Sequence, residues 1–391
     1  MTAWMTVTDE IGPEKILYLH DPEVGLKGII VVDTISLAGA GGGTRMLPDI
    51  TTEEMCNLAR AMTYKFQMID LPMGGSKAGI WADPNMVKNK KNAILTSFGR
   101  IAKPLMESGV NIASDMGTDT EDVETIYQGA GVENQSSGLS LKEKDGEPLE
   151  NHATGFGVVM AAKSACEHAG MDIKGATVAI EGFGKAGGGV ARYMMEAGAR
   201  VVAMSNIDGT KYNPDGLDIK ALLDSRQQQG DKALTLLKDV KTLSSDSIFS
   251  LPVDILVPGA RPRVINSDNA HSVKARIISS IANNPVTDQA EQILLDDGVR
   301  VVPDFLSNVG GVVVAIVDVL GGTADNLFHA LEYLLMPLTK EILTDAETEK
   351  TPPRLLAQQR IKRKIQEIRN KQRAAMTFEE VLELAKKRLN L

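Results

Sequence analysis

Residues Ala176 to Gly187 read ATVAIEGFGKAG, a buried-type strand that runs into a glycine-rich turn and opens a helix. Gly182, Gly184 and Gly187 permit a tight turn, a close approach of the backbone to a pyrophosphate and close helix–strand packing. The helix start offers unpaired amides to the phosphates. After the helix comes a second strand, RVVAMSN, ending at Asn206, so a βαβ unit stands complete in chain order. The GxGxxG spacing alone is weak. Its place behind a buried strand points to dinucleotide binding by Gly182, Phe183, Gly184, Lys185, Ala186 and Gly187. Further strand-like runs at VDILVPGA, ARIISSIAN and VRVVPDFLSN extend a parallel sheet, which a glycine-rich helix start without a ligand would leave unexplained.

Bulk properties narrow the class. A chain of 391 residues exceeds one ordinary core and fits two domains, and 43% hydrophobic residues without a long apolar run imply a soluble protein. A net charge of -9 argues against a general nucleic-acid binder, which needs a basic face. Cys56 and Cys166 lie in helix-like segments without CxxC or metal spacing, and the N-terminus lacks a signal pattern. A reducing cytoplasm and no structural disulfide are expected. His20, His152, His168, His271 and His329 are scattered without ligand spacing, so no metal site and no Ser-His triad is expected. Any catalysis then rests on lysine and carboxylate.

The first part of the chain carries that chemistry. Residues 14–46 are β-rich and run into the glycine-dense Gly39–Gly43; from Thr51 a capped helix carries Lys65 near its end. In LPMGGSKAGI, Leu71 to Ile80, Lys77 follows a glycine pair read as a loop that can bring amides against a small anion. Held near Lys65, it would have the depressed pKa of a general base; the alternative is a glycine turn before a solvated lysine. A helix over Val87–Ser108 leads to Asp115, in a short loop before a helix opened by acidic residues, where capping that helix is one reading. The polar run Asn134–Asn151 reads as a surface loop and domain boundary. The apolar run from Asn308 reads as a helix between domains. Beyond Leu327 the helices are charged, and the basic stretch Arg360 to Arg373 reads as a solvated face.

Taken in order, GGGTRM, MTYK, LPMGGSKAGI with WADP, SDMGT, ATGFGV, GFGKAG, VDILVPGA, IANNPVT and VVPDFLSNVGGV resemble the glutamate/leucine/phenylalanine/valine dehydrogenase family over residues 14–325. The resemblance implies a two-domain α/β fold. Residues 1–150 would form an α/β substrate and oligomerisation domain and 151–325 a Rossmann NAD(P)-binding domain, with a cleft between them. Apart from the resemblance, the charged helices of 326–391 are expected to return to the first domain. The resemblance implies reversible oxidation of an L-amino acid by NAD or NADP to a 2-oxo acid and ammonia, in a homo-oligomer. Lys77 would move protons on the bound water and the carbinolamine, Asp115 would assist, and Lys65 would bind the α-carboxylate. Gly42 and Gly43 would line the substrate. Thr154 and Asn283 would touch the nicotinamide side, with Asn206, Ala260 and Asn308 completing the cofactor set. Outside the resemblance, Thr154 reads equally as a helix cap, and Asn283 as closing a turn before Pro285.

Two departures from the family pattern bear on specificity. Where glutamate-using members resemble one another in a lysine and a serine that hold the side-chain carboxylate, this chain has Gly41 and Ala315. Neither pairs with an anion, and an unpaired buried carboxylate is costly, so a leucine- or valine-like substrate is expected, with Ala113 and Val312 as aliphatic walls. Glutamate is the alternative. Asn206 stands where an acidic residue would accept from the NAD ribose, and Lys185 and Arg261 add positive charge, so NADP is expected to be tolerated or preferred. Two rivals are a catalytically silent dinucleotide-binding regulator, disfavoured by the trio Lys65, Lys77 and Asp115, and a malic-enzyme-like oxidoreductase, which needs an acidic metal cluster that the sequence lacks.

Overall fold

At the start of the chain KILYLHD and LKGIIVV form an antiparallel pair, β1 (Lys15–Asp21) and β2 (Leu26–Val32), and the continuous apolar run of β2 is buried on both faces. The computed structural model describes residues 8–134, 143–144, 147–238, 240–370 and 375–391. It divides into two units, Met1–Leu139 with Arg360–Arg388 and Ser140–Gln359 with Leu389–Leu391.

In the first unit the hairpin is followed by β3 (Ala40–Met46), α1 (Thr52–Met68), β4 (Gly74–Ile80), α2 (Lys88–Glu107), β5 (Val110–Ser114) and α3 (Thr120–Ala130). The sheet order is β1-β2-β4-β3-β5, with β3 parallel to both β4 and β5. Helix α1 starts where Thr51 accepts from the Glu54 amide, as its threonine and early glutamates foretell. Its Met55, Cys56 and Ala59 pack on Ile29 and Val31. On the other face, Ile30, Val32, Ala78 and Ile80 share a core with Leu95 and Phe98 of α2 and Val123 and Ile126 of α3.

The glycine pair before Lys77 is not a loop. Gly74 and Gly75 are the first residues of β4, their amides donating to the Gly39 carbonyl at 2.9 Å and to Thr63 Oγ1 at 3.1 Å. The expected anion cradle is therefore absent at that point, and the cause is packing. A Cβ on Gly75 would lie 2.2 Å from the Ala59 carbonyl oxygen, so glycine is what lets α1 lie against the strand.

The second unit opens with the short pair β6 (Glu143–Lys144) and β7 (Glu147–Pro148), then α4 (Leu149–His168). Much of the polar run expected as a loop lies outside the described residues. Because α4 begins at Leu149, Thr154 sits inside a helix and is not a cap. The βαβ unit follows as β8 (Thr177–Glu181), α5 (Lys185–Glu196) and β9 (Arg200–Asn206). Next come β10 (Gly209–Tyr212), α6 (Ile219–Gln229), α7 (Lys232–Thr235), β11 (Lys241–Leu243) and β12 (Ile255–Val257). The unit continues with β13 (Ile277–Ile278), α8 (Asp288–Asp296), β14 (Arg300–Val301), α9 (Asp304–Ser307), α10 (Gly310–Val319) and α11 (Ala324–Glu349). The sheet order is β11-β10-β9-β8-β12-β13-β14. Strands β9, β8, β12, β13 and β14 are parallel, as the sequence suggested. Beyond β9 the chain reverses and adds β10 and β11 antiparallel, which no sequence signal announced.

The apolar run after Asn308 is helical, and α10 packs on α4 and α11 within this unit. Ser164 Oγ of α4 donates to the Met336 carbonyl of α11 at 2.6 Å. Of residues 326–391, only 360–388 group with the first unit. They comprise most of α12 (Pro353–Asn370) and nearly all of α13 (Phe378–Leu389). There the basic stretch is not merely solvated: Lys364 and Arg388 each lie 2.5 Å from the Asp70 carboxylate, and Arg369 lies 2.6 Å from Glu14. Among the described residues no helix is long and apolar enough to cross a membrane.

Candidate active site

Strand periodicity sets residues 41, 43 and 45 of β3 on one face, and Lys77 reaches that face from β4. Lys77 is 6% exposed, and its Nζ lies 2.8 Å from Asp115 Oδ2. Arg45 Nε lies 2.9 Å from the same oxygen, and Arg45 Nη1 lies 2.5 Å from Glu54 Oε1 at the start of α1. Burial alone would raise the Asp115 carboxyl; the Lys77 ammonium and the Arg45 guanidinium outweigh it and hold the carboxyl at about 2. Asp115 is thus an ionised acceptor at neutral pH. The group touching Lys77 is the carboxylate that the resemblance paired with it.

Local structure fixes this pair. Asp115 follows β5, and its amide donates to Thr118 Oγ1 at 3.0 Å, while Thr118 donates to the Thr44 carbonyl at 2.7 Å. The cap of α3 is Asp119, which forms a capping box with Asp122, so Asp115 is free of that duty. A Cβ on Gly43 would lie 2.8 Å from Asp115 Cβ and 3.3 Å from Lys77 Nζ, so only glycine leaves room for the pair there. Gly42 faces its neighbouring strand, with the Ser76 carbonyl oxygen 1.7 Å from where its Cβ would be. Lys65 sits half-buried in the last turn of α1. Ala113 pairs with Gly43 across β5 and is exposed.

At Gly41 a Cβ would meet Met73 Cε at 3.2 Å and Phe66 Cζ at 3.4 Å, so apolar groups occupy the side-chain direction of this position. Arg45, Phe66 and Met73 were not singled out from sequence. The signal for Arg45 was available: it stands two residues beyond Gly43 in a strand, hence on the same face.

In the second unit the turn between β8 and α5 fits a dinucleotide pyrophosphate. Gly182 has φ +91°, a left-handed conformation that favours glycine, and a Cβ on Gly187 would lie 1.9 Å from the Gly182 carbonyl oxygen. Gly184 is the N-cap of α5 without a side-chain cap, and a Cβ there would meet nothing within 4 Å. Lys185 and Ala186 open α5, and Lys185 is exposed. Phe183 turns inward instead, 1% exposed, with the Arg226 guanidinium 5.7 Å from its ring centroid.

Ala260 adjoins this turn, since its amide nitrogen lies 3.4 Å from a Cβ built on Gly182. The buried Glu181 at the end of β8 accepts from the Gly259 and Ala260 amides at 3.0 and 3.2 Å. Burial raises the Glu181 carboxyl, with those two amides acting against it. Asn206 is tied down by its neighbours: Nδ2 donates to Thr235 Oγ1 at 3.1 Å and Oδ1 accepts from the Asp208 amide at 3.0 Å. Asn308 and Asn283 are brought together, Asn308 Nδ2 donating to Asn283 Oδ1 and to the Ile281 carbonyl, both at 3.0 Å. Thr154 lies beside Gly310, whose Cβ would be 2.6 Å from the Thr154 amide nitrogen. On α10, Val312 is buried and Ala315 is exposed.

Comparison with known proteins bears on both units. A family model described as Glutamate/Leucine/Phenylalanine/Valine dehydrogenase matches residues 146–381, and one described as the Glu/Leu/Phe/Val dehydrogenase dimerisation domain matches residues 13–130. The NAD-specific glutamate dehydrogenase of Staphylococcus aureus is 35% identical over 281 residues, 70% of this chain and 67% of that protein. The crystal structure of hetero-hexameric glutamate dehydrogenase from Thermus thermophilus, in its Leu bound form, is similar with TM-score 0.79 and 26% identity, covering 91% of this chain and 89% of that one. L-tryptophan dehydrogenase from Nostoc punctiforme is similar with TM-score 0.67 and 26% identity, covering 95% and 99%.

Proposed function

The chain belongs to the glutamate/leucine/phenylalanine/valine dehydrogenase family and is an NAD(P)-dependent amino-acid dehydrogenase, and on that premise we propose that its substrate is an L-amino acid with an apolar, leucine- or valine-like side chain. The observation that carries this reading is Gly41 with Phe66 and Met73 against it. A cation at that position would have to lie among apolar groups, and without one a side-chain carboxylate has no partner there. Ala315 likewise offers no hydrogen bond. Glutamate is the second reading, supported by the name of the Staphylococcus aureus relative.

The residues divide the reaction as follows. The bound dinucleotide supplies the acceptor for the hydride that leaves the substrate Cα. Lys65 binds the α-carboxylate and so fixes the orientation of Cα. Lys77, in its neutral form, takes a proton from water as the oxygen adds to the iminium carbon. It returns that proton to the nitrogen of the carbinolamine, whose C–N bond then breaks to release ammonia while the hydroxyl proton is lost to form the 2-oxo acid. Asp115, ionised, holds the Lys77 ammonium between these transfers. Gly182, Gly184, Lys185, Ala186 and Gly187 would hold the pyrophosphate. Asn283, positioned by Asn308, and Thr154 would face the nicotinamide.

For the dinucleotide we read NAD as preferred. Asn206 is neutral, but the Asp208 carboxylate accepts from Thr235 Oγ1 at 2.9 Å, and that hydroxyl also accepts from Asn206. A carboxylate so close to the β9 end disfavours a 2′-phosphate, which revises the NADP preference read from Asn206 alone. The test is NAD(P)H formation by purified protein with leucine, valine, phenylalanine, tryptophan and glutamate, each with NAD and NADP. Turnover on the apolar substrates with NAD and little on glutamate is expected. A higher kcat/KM for glutamate would overturn the substrate reading, and a higher one with NADP the cofactor reading. The family model over residues 13–130 and the exposed edge of β1 support a homo-oligomer, which a monomer in light scattering at working concentration would exclude.

A further inference from the structure

Lys77 and Arg45 share one oxygen of Asp115. Both contact Oδ2, and among the described residues none donates to Oδ1, although the side chain is 24% exposed. Lys77 is a point charge on a flexible stem and fixes the orientation of a carboxylate poorly; a guanidinium offers rigid planar donors. Arg45 is itself held, 14% exposed within β3, by the Glu54 carboxylate. That carboxylate belongs to the first turn of α1, whose amide is capped by Thr51. Charges therefore alternate along Glu54, Arg45, Asp115 and Lys77 and sum to zero.

We propose that Arg45 is a positioning residue for the deamination: by clamping Oδ2 it presents Oδ1 of Asp115 to the amino nitrogen of the substrate while Lys77 loses and regains its proton. The demand for it arises from the reaction itself. When Lys77 is neutral, Asp115 loses one of its two cations, and a mostly buried carboxylate without a charged partner is costly to keep in place. Arg45 cannot be deprotonated under these conditions, so its hold on Oδ2 persists through the proton transfers.

This inference rests on the reading of Lys77 and Asp115 as the working pair, and the test separates the two. Full-length Asp115→Asn, Arg45→Gln and Arg45→Lys would be compared by steady-state kinetics on the best substrate of the panel and by titration with reduced dinucleotide. Asp115→Asn is expected to lower kcat by at least about 100-fold. Arg45→Gln should lower kcat by about 10- to 100-fold with dinucleotide affinity within about twofold of the parent, and Arg45→Lys should recover about half of that loss on a logarithmic scale. Near-parent kcat in Arg45→Gln beside an inactive Asp115→Asn would overturn the role of Arg45 alone. Near-parent kcat in Asp115→Asn would overturn the pair. A loss of dinucleotide affinity parallel to kcat in Arg45→Gln would mark general damage and also overturn the proposal. Should Arg45→Gln not fold, Glu54→Gln loosens the clamp from its 39% exposed end. A fall in kcat of about threefold or more at an unchanged thermal midpoint is expected, and an unchanged kcat overturns the clamp.

Discussion

At the scale of single residues, Lys77 and Asp115 were legible from sequence because their types and order matched a chemistry that needs an amine and a carboxylate at one carbon. What sequence could not show was the third charge beside them: the structure puts the Asp115 carboxylate 2.8 Å from Lys77 and shares it with Arg45. Partner identity depends on which strand lies beside which, and β3, β4 and β5 are joined by crossings that single motifs do not encode. Lys77→Ala is expected to reduce kcat by about a thousandfold, because proton transfer by a positioned side chain is commonly worth two to four orders of magnitude. The dinucleotide turn belongs to the other unit, so affinity for reduced dinucleotide, read by its fluorescence, should stay within about twofold. A Lys77→Ala enzyme with near-normal kcat would take proton transfer away from this residue.

At the scale of elements, the parts with a strong local signal came through: the capped start of α1, the βαβ unit, and the three later parallel strands. The glycine pair before Lys77 did not. Gly74 and Gly75 have the composition of a turn and the structure of a strand, because close backbone approach, by Thr34 at Gly74 and by α1 at Gly75, rather than backbone freedom demands glycine there. The β8–α5 turn shows both uses of glycine side by side and yields a paired prediction. In Gly187→Ala the new methyl meets a backbone carbonyl at 1.9 Å and cannot be accommodated without moving the turn. In Gly184→Ala it enters open space, the space a pyrophosphate would need. Both variants should bind dinucleotide at least about tenfold more weakly, but only Gly187→Ala should lose stability, by about 1–3 kcal/mol in denaturant unfolding. Undiminished dinucleotide affinity in Gly184→Ala would argue against the turn as the pyrophosphate site.

At the scale of the whole molecule, division into a substrate unit and a dinucleotide unit could be anticipated from motif order, and so could the return of the C-terminal helices, but not that only 360–388 join the first unit or which groups hold them there. Charge content alone does not say that Lys364, Arg369 and Arg388 find Asp70 and Glu14. Nor does it reveal a buried charge problem in the second unit. Glu291 of α8 is 3% exposed, and burial, opposed by Arg354 but reinforced by Asp304 and Asp288, pushes its carboxyl up to about 8 from an ordinary 4.5. Arg354 is already committed to Asp304 at 2.8 Å, so one buried cation faces two buried carboxyls and Glu291 keeps its proton. The folded state then binds this proton more tightly than the unfolded chain does. Stability attributable to the group is fully present below about pH 4.5 and is lost as pH rises toward about 8. Glu291→Gln replaces the protonated acid with a neutral group of similar shape. It should match the parent in denaturant midpoint near the acid end of that window and exceed it above its alkaline end. An equal difference between the two proteins at both pH values would mean that Glu291 does not titrate within the window, and that its proton plays no part in the pH dependence of stability.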